Sequence, residues 1–525
     1  MANVNWLKRA RVNVPKRSGF DKSFRHLFTT KCGTLVPILT DEVIPNTRIN
    51  LRMAIQGALP PLASDTFMNV KLKTEAFFVP NRLLYGGYEY WLTGETIGGS
   101  AVAMPFIRLT SSEATYVGTG TLADYLGFKA GDSPATTDTS TRLVLNALPF
   151  IAYHKIYDDW YRNTKVQQPV FIRPTASSSI ALKYLPYQYN TSSYVMDNGS
   201  QCNDGKSILA LRQRNFGSDY FSEATTSPQQ GTAQSVSTSG NTFTISALRA
   251  ANSIQQWLER NNLAGFRLQD YVRANYGASL SDGVAQRSLY LGSCDFDIYT
   301  KGVEQTAGVG SDASQGQPFS TLGTRAGSAY CSGDGLLIDD FVANEPGHIM
   351  VIASLVPKVV YASGIDRMLS RYTSTGSQSD LATPLLQNVG PQPIYSKELN
   401  TRLAWTDSTP SAVFGYIDRY ADFMTKEDRL SGQFRRNATL QSFAAQRYIT
   451  GTSLSMGSSF LEIPTTYLDT VLAASTGASQ FTAWCDSYFD YKVSMPLSEF
   501  CQPSLQDPAY EHGKEVSIRR SGSRL

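Results

Sequence analysis

Two stretches of alternating hydrophobicity, residues 48–55 and 68–78, constrain the fold of this chain more than any other feature. In the first stretch the apolar side chains take the odd positions, which are Ile49, Leu51, Met53 and Ile55. In the second stretch they take the even positions, which are Met68, Val70, Leu72, Ala76 and Phe78, with Thr74 among them. Successive side chains of a strand point to opposite faces, so each stretch predicts a strand with one buried face.

The connection between these strands contains Gly57 and the pair Pro60 and Pro61. It is about a dozen residues long, whereas tight hairpins use two to five turn residues. We therefore predict that the two strands face each other across a β-sandwich. The second strand is expected to end at Pro80, because proline has no N–H to donate to a neighbouring strand. Periodicity alone is also compatible with any other antiparallel β domain.

The composition favours a loop-rich β protein. Only 17% of the 525 residues are charged, and no apolar run reaches the length of about eighteen residues that a membrane-spanning helix requires. The six cysteines are scattered without a CxxC pair, so we expect reduced, mostly buried thiols made in a cytoplasm rather than a zinc site or a disulfide framework. They are Cys32, Cys202, Cys294, Cys331, Cys485 and Cys501.

Positive charge is concentrated at the beginning of the chain. The net charge of the whole sequence is +3, yet residues 1–25 carry seven basic side chains and one acid, Asp21. The basic residues are Lys8, Arg9, Arg11, Lys16, Arg17, Lys22 and Arg25. A basic arm on a near-neutral body is the pattern of a segment that meets polyanions. A solvated tail without a partner is the alternative that the charge pattern leaves open.

An aromatic helix is predicted where Pro149 suits a first helical turn. Its apolar side chains recur at spacings of three and four residues, namely Tyr153, Ile156, Tyr157, Trp160 and Tyr161. Asp158 and Asp159 are neighbours on this helix and diverge by about 100°, so we expect a solvated or interface role for them and no shared metal. His154 is expected to be packed or hydrogen-bonded, because no nucleophile motif accompanies it.

Further elements are predicted along the chain. Residues 246–262 predict a helix with Ser246 as N-cap, and residues 268–276 predict a second helix that ends at Gly277. The first of these carries an apolar stripe of Leu248, Ala251, Ile254, Trp257 and Leu258. Residues 349–356 form a continuous apolar run that predicts a strand buried on both faces, and residues 484–497 predict a closing strand.

Motifs that carry chemistry are missing from the sequence. It has no GxSxG, HExxH, GxxxxGK[ST] or DxDxDG pattern, so we expect neither an enzyme nor a bound metal or cofactor. Two other functions stay open on the residues alone. One is a β-sandwich protein that binds or hydrolyses glycans, since glycosidase carboxylates need no sequence spacing. The other is a single-strand binder with a stacking groove.

Several ordered segments resemble the major capsid protein of microviruses, in particular the gokushovirus-like branch. The first is GTLVPILTDEVIPNTRINLRM, followed by LKTEAFFVPNRLLYGGYEYWLTGE. Residues 283–293 resemble the LQRPEYLGG element, with Gln286, Arg287, Tyr290, Leu291 and Gly292 in matching places and Ser288 in place of proline. Residues 413–436 resemble the FGYQERYAEY element, with Tyr416, Arg419 and Tyr420 in matching places.

The resemblance implies a mainly β fold, an eight-stranded antiparallel jelly roll of the viral capsid type with long inserted loops and a few helices. It divides the chain into a basic arm at residues 1–30, a jelly-roll domain at 31–510 with insertions at about 93–345, and a C-terminal tail at 511–525. The aromatic and basic residues of the matching elements are then expected in packing or subunit interfaces. They are Tyr157, Trp160, Tyr161, Arg287, Tyr290, Tyr416, Arg419 and Tyr420.

The implied function is assembly rather than catalysis. Sixty copies are expected to form a T=1 icosahedral shell around circular single-stranded DNA, with Lys8, Arg9, Arg11, Lys16 and Arg17 contacting the DNA from inside. The expected partners are the genome, pilot or minor capsid proteins, a small DNA-binding protein, a scaffolding protein and a host surface receptor such as a glycan or lipopolysaccharide. The protein is expected in the virion, after assembly in the cytoplasm of a bacterial host.

Overall fold

The computed structural model of the chain describes residues 9–14, 17–96, 102, 104–110, 116–129, 142–170, 186–189, 194–195, 208–235, 244–304, 325–370, 390–405, 412–451, 454–473, 483–497 and 514–519. The strands are β1 (Arg9–Val14), β2 (Ser18–Asp21), β3 (Phe24–Thr30), β4 (Val36–Val43), β5 (Thr47–Ala58), β6 (Val70–Pro80), β7 (Phe106–Thr110), β8 (Arg142–Asn146), β9 (Pro186–Tyr189), β10 (Tyr194–Val195), β11 (Leu289–Asp297), β12 (Tyr299–Glu304), β13 (Arg325–Ala343), β14 (Gly347–Pro357), β15 (Gln392–Tyr395), β16 (Val413–Ile417), β17 (Ala483–Met495) and β18 (Lys514–Arg519).

The helices are short apart from one. They are α1 (Asn81–Leu84), α2 (Tyr88–Thr93), α3 (Leu122–Tyr125), α4 (Leu148–Ile156), α5 (Ile245–Ala264), α6 (Leu268–Tyr276), α7 (Arg367–Ser370), α8 (Thr401–Trp405), α9 (Ala421–Met424) and α10 (Ser458–Leu461). A π-helical segment, Tyr157–Tyr161, continues α4, and 3-10 turns lie at Ser396–Glu398, Gly432–Phe434 and Gln441–Phe443.

A β-sandwich forms the body of the protein. One sheet has the order β11-β6-β14-β4, and the other has the order β12-β13-β5-β17-β2, with β3 also pairing with β17. All of these pairings are antiparallel. The core between the sheets includes the odd-numbered apolar residues of β5 and Leu72 of β6. Because β5 and β6 belong to different sheets, the prediction that they face each other across a sandwich is confirmed.

The outer face of the four-stranded sheet is covered by α4 and its neighbours. Phe77 and Val79 of β6 join Leu148 and Ile151 of α4 in a second apolar cluster. From Thr74 onward β6 is therefore buried on both faces, and the half-buried pattern predicted for residues 68–78 holds only for its first half. The prediction of a fully buried strand at residues 349–356 is confirmed by β14, which is buried along nearly its whole length.

The outer face of the six-stranded sheet carries exposed ion pairs instead. Arg52 of β5 lies 3.2 Å from Asp334 of β13, and both side chains are more than half exposed. Strand β17 shows the predicted alternation, but it lies between β5 and the two strands β2 and β3. The strand at residues 484–497 is thus an interior strand of its sheet rather than a closing one.

The predicted basic arm is largely built into the fold. Strands β2 and β3 fall within residues 1–30 and pair with β17, so they belong to the six-stranded sheet. Strand β1 pairs with β18 of the C-terminal tail. Strands β11, β12 and β13 likewise fall within the stretch expected as insertion at about 93–345, and they supply three strands of the sandwich.

Both predicted helices after residue 240 are present. Helix α5 begins one residue earlier than expected, because Thr244 rather than Ser246 accepts the capping hydrogen bond from the N–H of Ala247. Helix α6 ends at Gly277, which has the left-handed φ of 67° typical of a C′ glycine. The apolar stripe of α5 is not covered by the described part of the protomer, since Leu248, Ile254 and Trp257 are exposed.

Candidate functional site

The aromatic residues predicted at the end of α4 meet the beginning of β11 around Phe77. Its ring centroid lies 5.9 Å from that of Trp160, 6.0 Å from that of Tyr161 and 5.6 Å from that of Tyr290. The guanidinium carbon of Arg287 lies 3.5 Å from the centroid of Trp160. Offset and edge-on ring pairs and a cation over an indole are attractive arrangements. The structure thus joins four predicted residues in one junction between helix and sheet.

Asp159 connects the same two elements through hydrogen bonds. Its Oδ2 accepts from both the N–H and the hydroxyl of Ser288 at 2.9 Å, and its Oδ1 accepts from Lys155 at 2.9 Å. A solvated or interface role was expected for Asp159, and the solvated role is wrong because the residue is only 7% exposed. Asp158 points elsewhere and pairs with Arg162, which confirms that the two neighbouring acids diverge. Lys155 lies four residues before Asp159, whereas no sequence pattern indicates the contact with Ser288, because Ser288 lies far from Asp159 along the chain.

Loss of the hydrogen bonds that Ser288 donates to Asp159 is expected to destabilise the folded protein. We expect Ser288→Ala to lower the free energy of unfolding by about 1.5 kcal/mol, because one hydrogen bond to a buried carboxylate is lost. Ser288→Pro, which restores the residue found at this place in the resembling element, also removes the N–H and is expected to cost about 3 kcal/mol. Urea unfolding followed by tryptophan fluorescence measures both, with the exposed Ser293→Ala as a near-neutral control. Equal stability of the alanine and proline variants would contradict the role of the N–H.

A buried ion pair lies beside this junction, on the outer face of β6. Arg214 Nη1 lies 2.7 Å from Glu75 Oε2, and the hydroxyl of Tyr161 donates to the same oxygen at 2.6 Å. Burial by itself raises the pKa of Glu75. The charge and hydrogen bonds of Arg214, together with the hydrogen bond of Tyr161 and the charge of Lys73, outweigh burial and hold that pKa below its ordinary value. Burial raises the pKa of Tyr161 well above its ordinary value, so this hydroxyl stays protonated as a donor.

His154 is a packed, hydrogen-bonded histidine, as predicted. Its Nε2 lies 2.8 Å from the carbonyl oxygen of Ile208, and its Nδ1 accepts from Nε of Arg212 at 3.2 Å. These partners fix the neutral tautomer with the proton on Nε2. Burial and the nearby Arg212 hold the pKa of His154 well below its ordinary value. The ring therefore serves as a structural link and not as a base.

The other predicted residues lie on the segment around β16. Tyr416 exchanges two backbone hydrogen bonds with Thr225, and the guanidinium carbon of Arg419 lies 4.4 Å from the ring centroid of Tyr420. This segment packs over a third apolar cluster that includes Phe414 and Phe460. Tyr157, at the start of the π-helical segment, is buried in the second apolar cluster, with the guanidinium carbon of Arg212 5.6 Å from its ring centroid. Of the eight predicted packing or interface residues, five therefore lie on the extension of α4 or at the beginning of β11, and three lie around β16.

A buried ion pair lies under the segment around β16, and no sequence pattern predicted it. Arg367 lies 3.3 Å from Glu398, and the two side chains are 8% and 2% exposed. The hydroxyl of Tyr220 lies 3.3 Å from Glu398. Burial raises the pKa of Glu398 in spite of the charge of Arg367. No local pattern marks these residues, because each sits in a loop-rich stretch and finds its partners only in the folded chain.

A cleft of about 1160 Å³ lies between the two groups of predicted residues. Trp160 and Tyr161 line one side, and Ile417 and Asp418 line the other. The charged residues of its lining are balanced, with six basic and six acidic side chains. A cleft that binds a polyanion requires an excess of positive charge in its lining. The lining is therefore suited to neutral or mixed protein surfaces rather than to nucleic acid.

The predicted DNA-contacting residues are spread over the arm. Arg9 and Arg11 lie in β1, whereas Lys8 and Lys16 are outside the described residues. Arg17 is exposed and donates to the backbone oxygen of Asn46 and, at 3.1 Å, to its Oδ1. Arg17 is thus tied to the turn between β4 and β5, where the arm joins the sandwich.

The described part of the chain contains neither a candidate metal site nor a candidate membrane-spanning helix. Within the described ranges, no group of three or more His, Cys, Asp or Glu side chains is placed to hold a metal ion. None of the helices in those ranges has the length and hydrophobicity that crossing a membrane would require. Cys331 and Cys485 are buried thiols, as predicted, and burial raises the pKa of Cys485 to about 12.

The chain is similar to capsid proteins of several small phages. A family model described as "Capsid protein (F protein)" matches residues 10–242 and 237–505. Capsid protein VP1 of Chlamydia phage 1 is 26% identical, over 94% of this chain and 96% of that protein. Capsid protein VP1 of Bdellovibrio phage phiMH2K is 25% identical, over 93% and 95%. Capsid protein VP1 of Spiroplasma virus 4 is 21% identical, over 83% and 84%.

Proposed function

The chain belongs to the capsid protein (F protein) family, and from this premise we propose that sixty copies close into a T=1 icosahedral shell around a circular single-stranded DNA genome. It is a structural major capsid protein of the microvirus type, as the sequence resemblance predicted. Its place is the virion. The alternative of a glycan-binding or glycan-hydrolysing sandwich is disfavoured, since the family is one of structural proteins.

The predicted eight-stranded jelly roll is part of this proposal. Apart from β2 and β3, the sandwich consists of two layers of four strands, β11-β6-β14-β4 and β12-β13-β5-β17. The first layer interleaves strands from early and late in the chain, which supports a rolled-up antiparallel topology. Long stretches between β6 and β11 then act as the inserted loops, and the protein assembles in the cytoplasm of its bacterial host.

The observation that carries the shell proposal is the uncovered apolar face of the helix pair α5 and α6. Trp257 is 44% exposed, Leu268 is 65% exposed and Tyr276 is 73% exposed. Further exposed apolar residues of the same region are Ile245, Leu248, Ile254, Phe266 and Val284. Large apolar side chains that are exposed together on one helix pair indicate a protein–protein contact. A second copy of the same chain is the partner that a closed shell requires.

Replacing Trp257 with alanine is expected to abolish or strongly reduce shell formation. A buried interface tryptophan contributes about 2 kcal/mol or more to each contact, and a shell repeats that contact in every subunit. The test is electron microscopy and sedimentation of the protein expressed together with its sister virion proteins. Spherical particles a few tens of nanometres across are expected for the unmodified chain.

The matched control for this experiment is Arg249→Ala. Arg249 is exposed on the opposite side of α5 from the apolar stripe, so its loss is expected to leave particle yield unchanged. Both variants should retain the folded protomer, as judged by their far-UV circular dichroism. Normal particle yield from Trp257→Ala would contradict the assignment of this face to the subunit contact.

Contacts with the genome, with other subunits, with the host and with other virion proteins are also part of the proposal. Lys8, Arg9, Arg11, Lys16 and Arg17 neutralise genome phosphates without reading the base sequence. Tyr416, Arg419 and Tyr420 contribute to packing beside the cleft or to subunit contacts. Outer loops touch the host receptor, and pilot, scaffolding and small DNA-binding proteins are the further virion partners. The balanced charge of the cleft supports a protein segment rather than DNA as the occupant of that site.

A further inference from the structure

A row of aromatic rings lies at the surface beside the sandwich, where the connection between β5 and β6 meets the segment that follows α9. Phe67 is 76% exposed, and its ring centroid lies 6.3 Å from that of Phe443. The ring of Phe443 lies 6.4 Å from that of Phe434. Phe434 and Phe443 are half-buried, so the most exposed ring stands at one end of the row.

The segment that carries two of these rings is rich in arginine. Residues 429–461 contain four arginines and no acidic residue. Arg429 forms a salt bridge with Asp366, and Arg447 is only 8% exposed, with its guanidinium carbon 4.0 Å from the ring centroid of Phe460. These two arginines are therefore occupied within the protomer.

The other two arginines of the segment, Arg435 and Arg436, are exposed. Neither of them forms a salt bridge or a side-chain hydrogen bond with another residue of the described ranges. The guanidinium carbon of Arg436 lies 3.7 Å from the ring centroid of Tyr448, which is 40% exposed. A guanidinium that stacks on a ring still presents the N–H groups of its edge to a ligand. We refer to Phe67, Phe434, Phe443, Arg435, Arg436 and Tyr448 as the stacking patch.

The acids around the stacking patch are engaged elsewhere. They are Asp65, whose carboxyl group faces Gly302 of β12, Asp297, which lies 3.4 Å from Lys71, and Asp428, which lies 2.5 Å from Lys358. Even with Asp65 counted, Arg435 and Arg436 leave the patch with an excess of positive charge. This excess distinguishes the patch from the cleft, whose lining is balanced.

Hydrogen bonds hold the stacking patch in place without a ligand. The N–H of Phe67 donates to the carbonyl oxygen of Phe443 at 2.8 Å. The side-chain amide of Gln446 donates to the carbonyl oxygens of Phe434 and Gln441, both at 3.3 Å. A surface whose groups are already ordered loses less conformational entropy when it binds a partner.

Exposed rings beside unpaired arginines have the chemistry that unpaired nucleotides require. Every base has an aromatic face that can stack on a ring, and such stacking tolerates any base sequence. Arginine suits phosphate oxygens, because its planar guanidinium can donate two parallel hydrogen bonds. In a duplex the faces of the bases are covered by the neighbouring base pairs, so a ring at the protein surface has nothing to stack on.

We propose that the stacking patch binds unpaired bases of single-stranded DNA, with Phe67 as the stacking platform and Arg435 and Arg436 as phosphate ligands. This inference rests on the proposed role of the protein as the shell around such a genome. It differs from charge neutralisation by the N-terminal arm, because stacking requires bases that are not paired. The body of the protein thus selects single-stranded DNA over duplex DNA, which phosphate contacts alone do not achieve.

The stacking contact is tested by photo-cross-linking the full-length, unassembled protein to an oligothymidylate that carries 5-iododeoxyuridine. Iodouracil joins to aromatic side chains that stack on it, and peptide mass spectrometry is expected to find the link at Phe67 or Phe443. Phe67→Leu keeps an apolar side chain and is expected to lower the yield of these links at least about fivefold. The control Tyr488→Leu removes a ring that is 52% exposed on the outer face of the six-stranded sheet and is expected to have no effect. Links found only outside the patch would overturn the site.

The two kinds of contact are separated by a salt titration of the affinity for oligothymidylate. Phe67→Leu is expected to weaken binding about fivefold without changing the slope of log affinity against log salt, because no phosphate contact is lost. Arg436→Gln is expected to reduce that slope by about 0.7, the value for one phosphate contact with a single strand. Arg52→Gln, which removes an exposed arginine paired with Asp334, is expected to leave both quantities unchanged.

A duplex of the same length serves as the competitor. Its binding is expected to be insensitive to Phe67→Leu, and an equal loss for duplex and single strand would contradict stacking. Unchanged oligonucleotide binding by Phe67→Leu together with a loss of particles would assign the patch to a subunit contact and overturn the proposal. The shell itself is judged by the particles of the unmodified chain, so its failure and the failure of this site give different results.

Discussion

Replacing Arg214 with methionine is expected to lower the free energy of unfolding by about 3–5 kcal/mol at pH 7. The substitution keeps most of the volume of the side chain and removes its charge, so Glu75 remains as a buried carboxylate without its guanidinium partner. Tyr161 still donates one hydrogen bond, and Lys73 lies 3.3 Å from Glu75 at the more exposed edge of the site. These two groups offset only part of the loss. Urea unfolding of the unassembled protein at pH 7 measures it.

The pH dependence of this loss follows from the pKa of Glu75. In the folded protein that pKa is lowered by Arg214, so the stabilisation it brings is present above the unfolded pKa and disappears as the pH falls through the folded pKa. In Arg214→Met, burial without the arginine raises the folded pKa instead. The gap in stability between the two proteins is therefore expected to be largest near neutral pH. It begins to shrink as the pH falls through the raised folded pKa of Glu75 in the variant, and it closes as the pH falls through the lowered folded pKa of the unmodified protein.

Two comparisons separate this effect from a general loss of packing. The double variant Glu75→Leu with Arg214→Met removes both charges and is expected to recover most of the lost stability, since well-packed apolar residues replace a buried ion pair at little net cost. Arg52→Met breaks the exposed pair with Asp334 and is expected to change stability very little. A double variant as unstable as Arg214→Met would refute the charge argument.

The sandwich could be predicted from the sequence where the signal is local. The alternation in β5 and β17 and the continuous apolar run of β14 each lie within one strand. The connection between β5 and β6 is too long for a tight hairpin, and this correctly placed the two strands in different sheets. Helices α5 and α6 were found because their caps and apolar spacing are also local signals. Periodicity shows which residues share a face, but it does not show what covers that face. For this reason the exposure of the α5 stripe was not foreseen.

The remaining features depend on partners that are distant along the chain. Strands β2 and β3 looked like part of a basic arm because the strand that pairs with them, β17, lies near the other end of the sequence. Glu75 takes an odd position in the alternating stretch 68–78, so the pattern put it on the face opposite the apolar residues. In the folded protein that face is covered by α4, and Arg214 donates a hydrogen bond to Glu75. In the same way, Asp159 accepts two hydrogen bonds from Ser288, which lies far from it along the chain.

The residues of the candidate site were found by resemblance rather than by physical pattern. Arg287 and Tyr290 were selected because they match an element of the microvirus capsid proteins. In the structure both side chains pack against the ring of Trp160. Their hydrogen-bonded surroundings could not be inferred in this way, since Ser288 departs from the pattern at the position that supplies donors to Asp159. Resemblance thus locates the junction, and the contacts of this chain determine its chemistry.

Gly292, in the same element, is a position where the two sheets approach each other closely. A register shift in the pairing of β11 with β6 lies between Tyr290 and Gly292. A Cβ added at Gly292 would overlap the backbone carbonyl oxygen of Leu337, which belongs to β13 of the opposite sheet. Glycine at such a bulge allows two backbones to approach more closely than any side chain permits. The edge of the sandwich between β11 and β13 depends on this approach.

Gly292→Ala is therefore expected to lower the free energy of unfolding by about 3 kcal/mol or more, at the upper end of what added methyl groups cost in packed interiors. The obstacle is a backbone oxygen, which can give way only if β13 moves. Gly335→Ala faces the side chain of Cys294 instead and is expected to cost less, because a side chain can rotate. Gly283→Ala meets no atom within 4 Å and is expected to be neutral or slightly stabilising. Thermal and urea unfolding of the three variants test this order, and a Gly292→Ala protein as stable as Gly283→Ala would show that the sheets do not meet here.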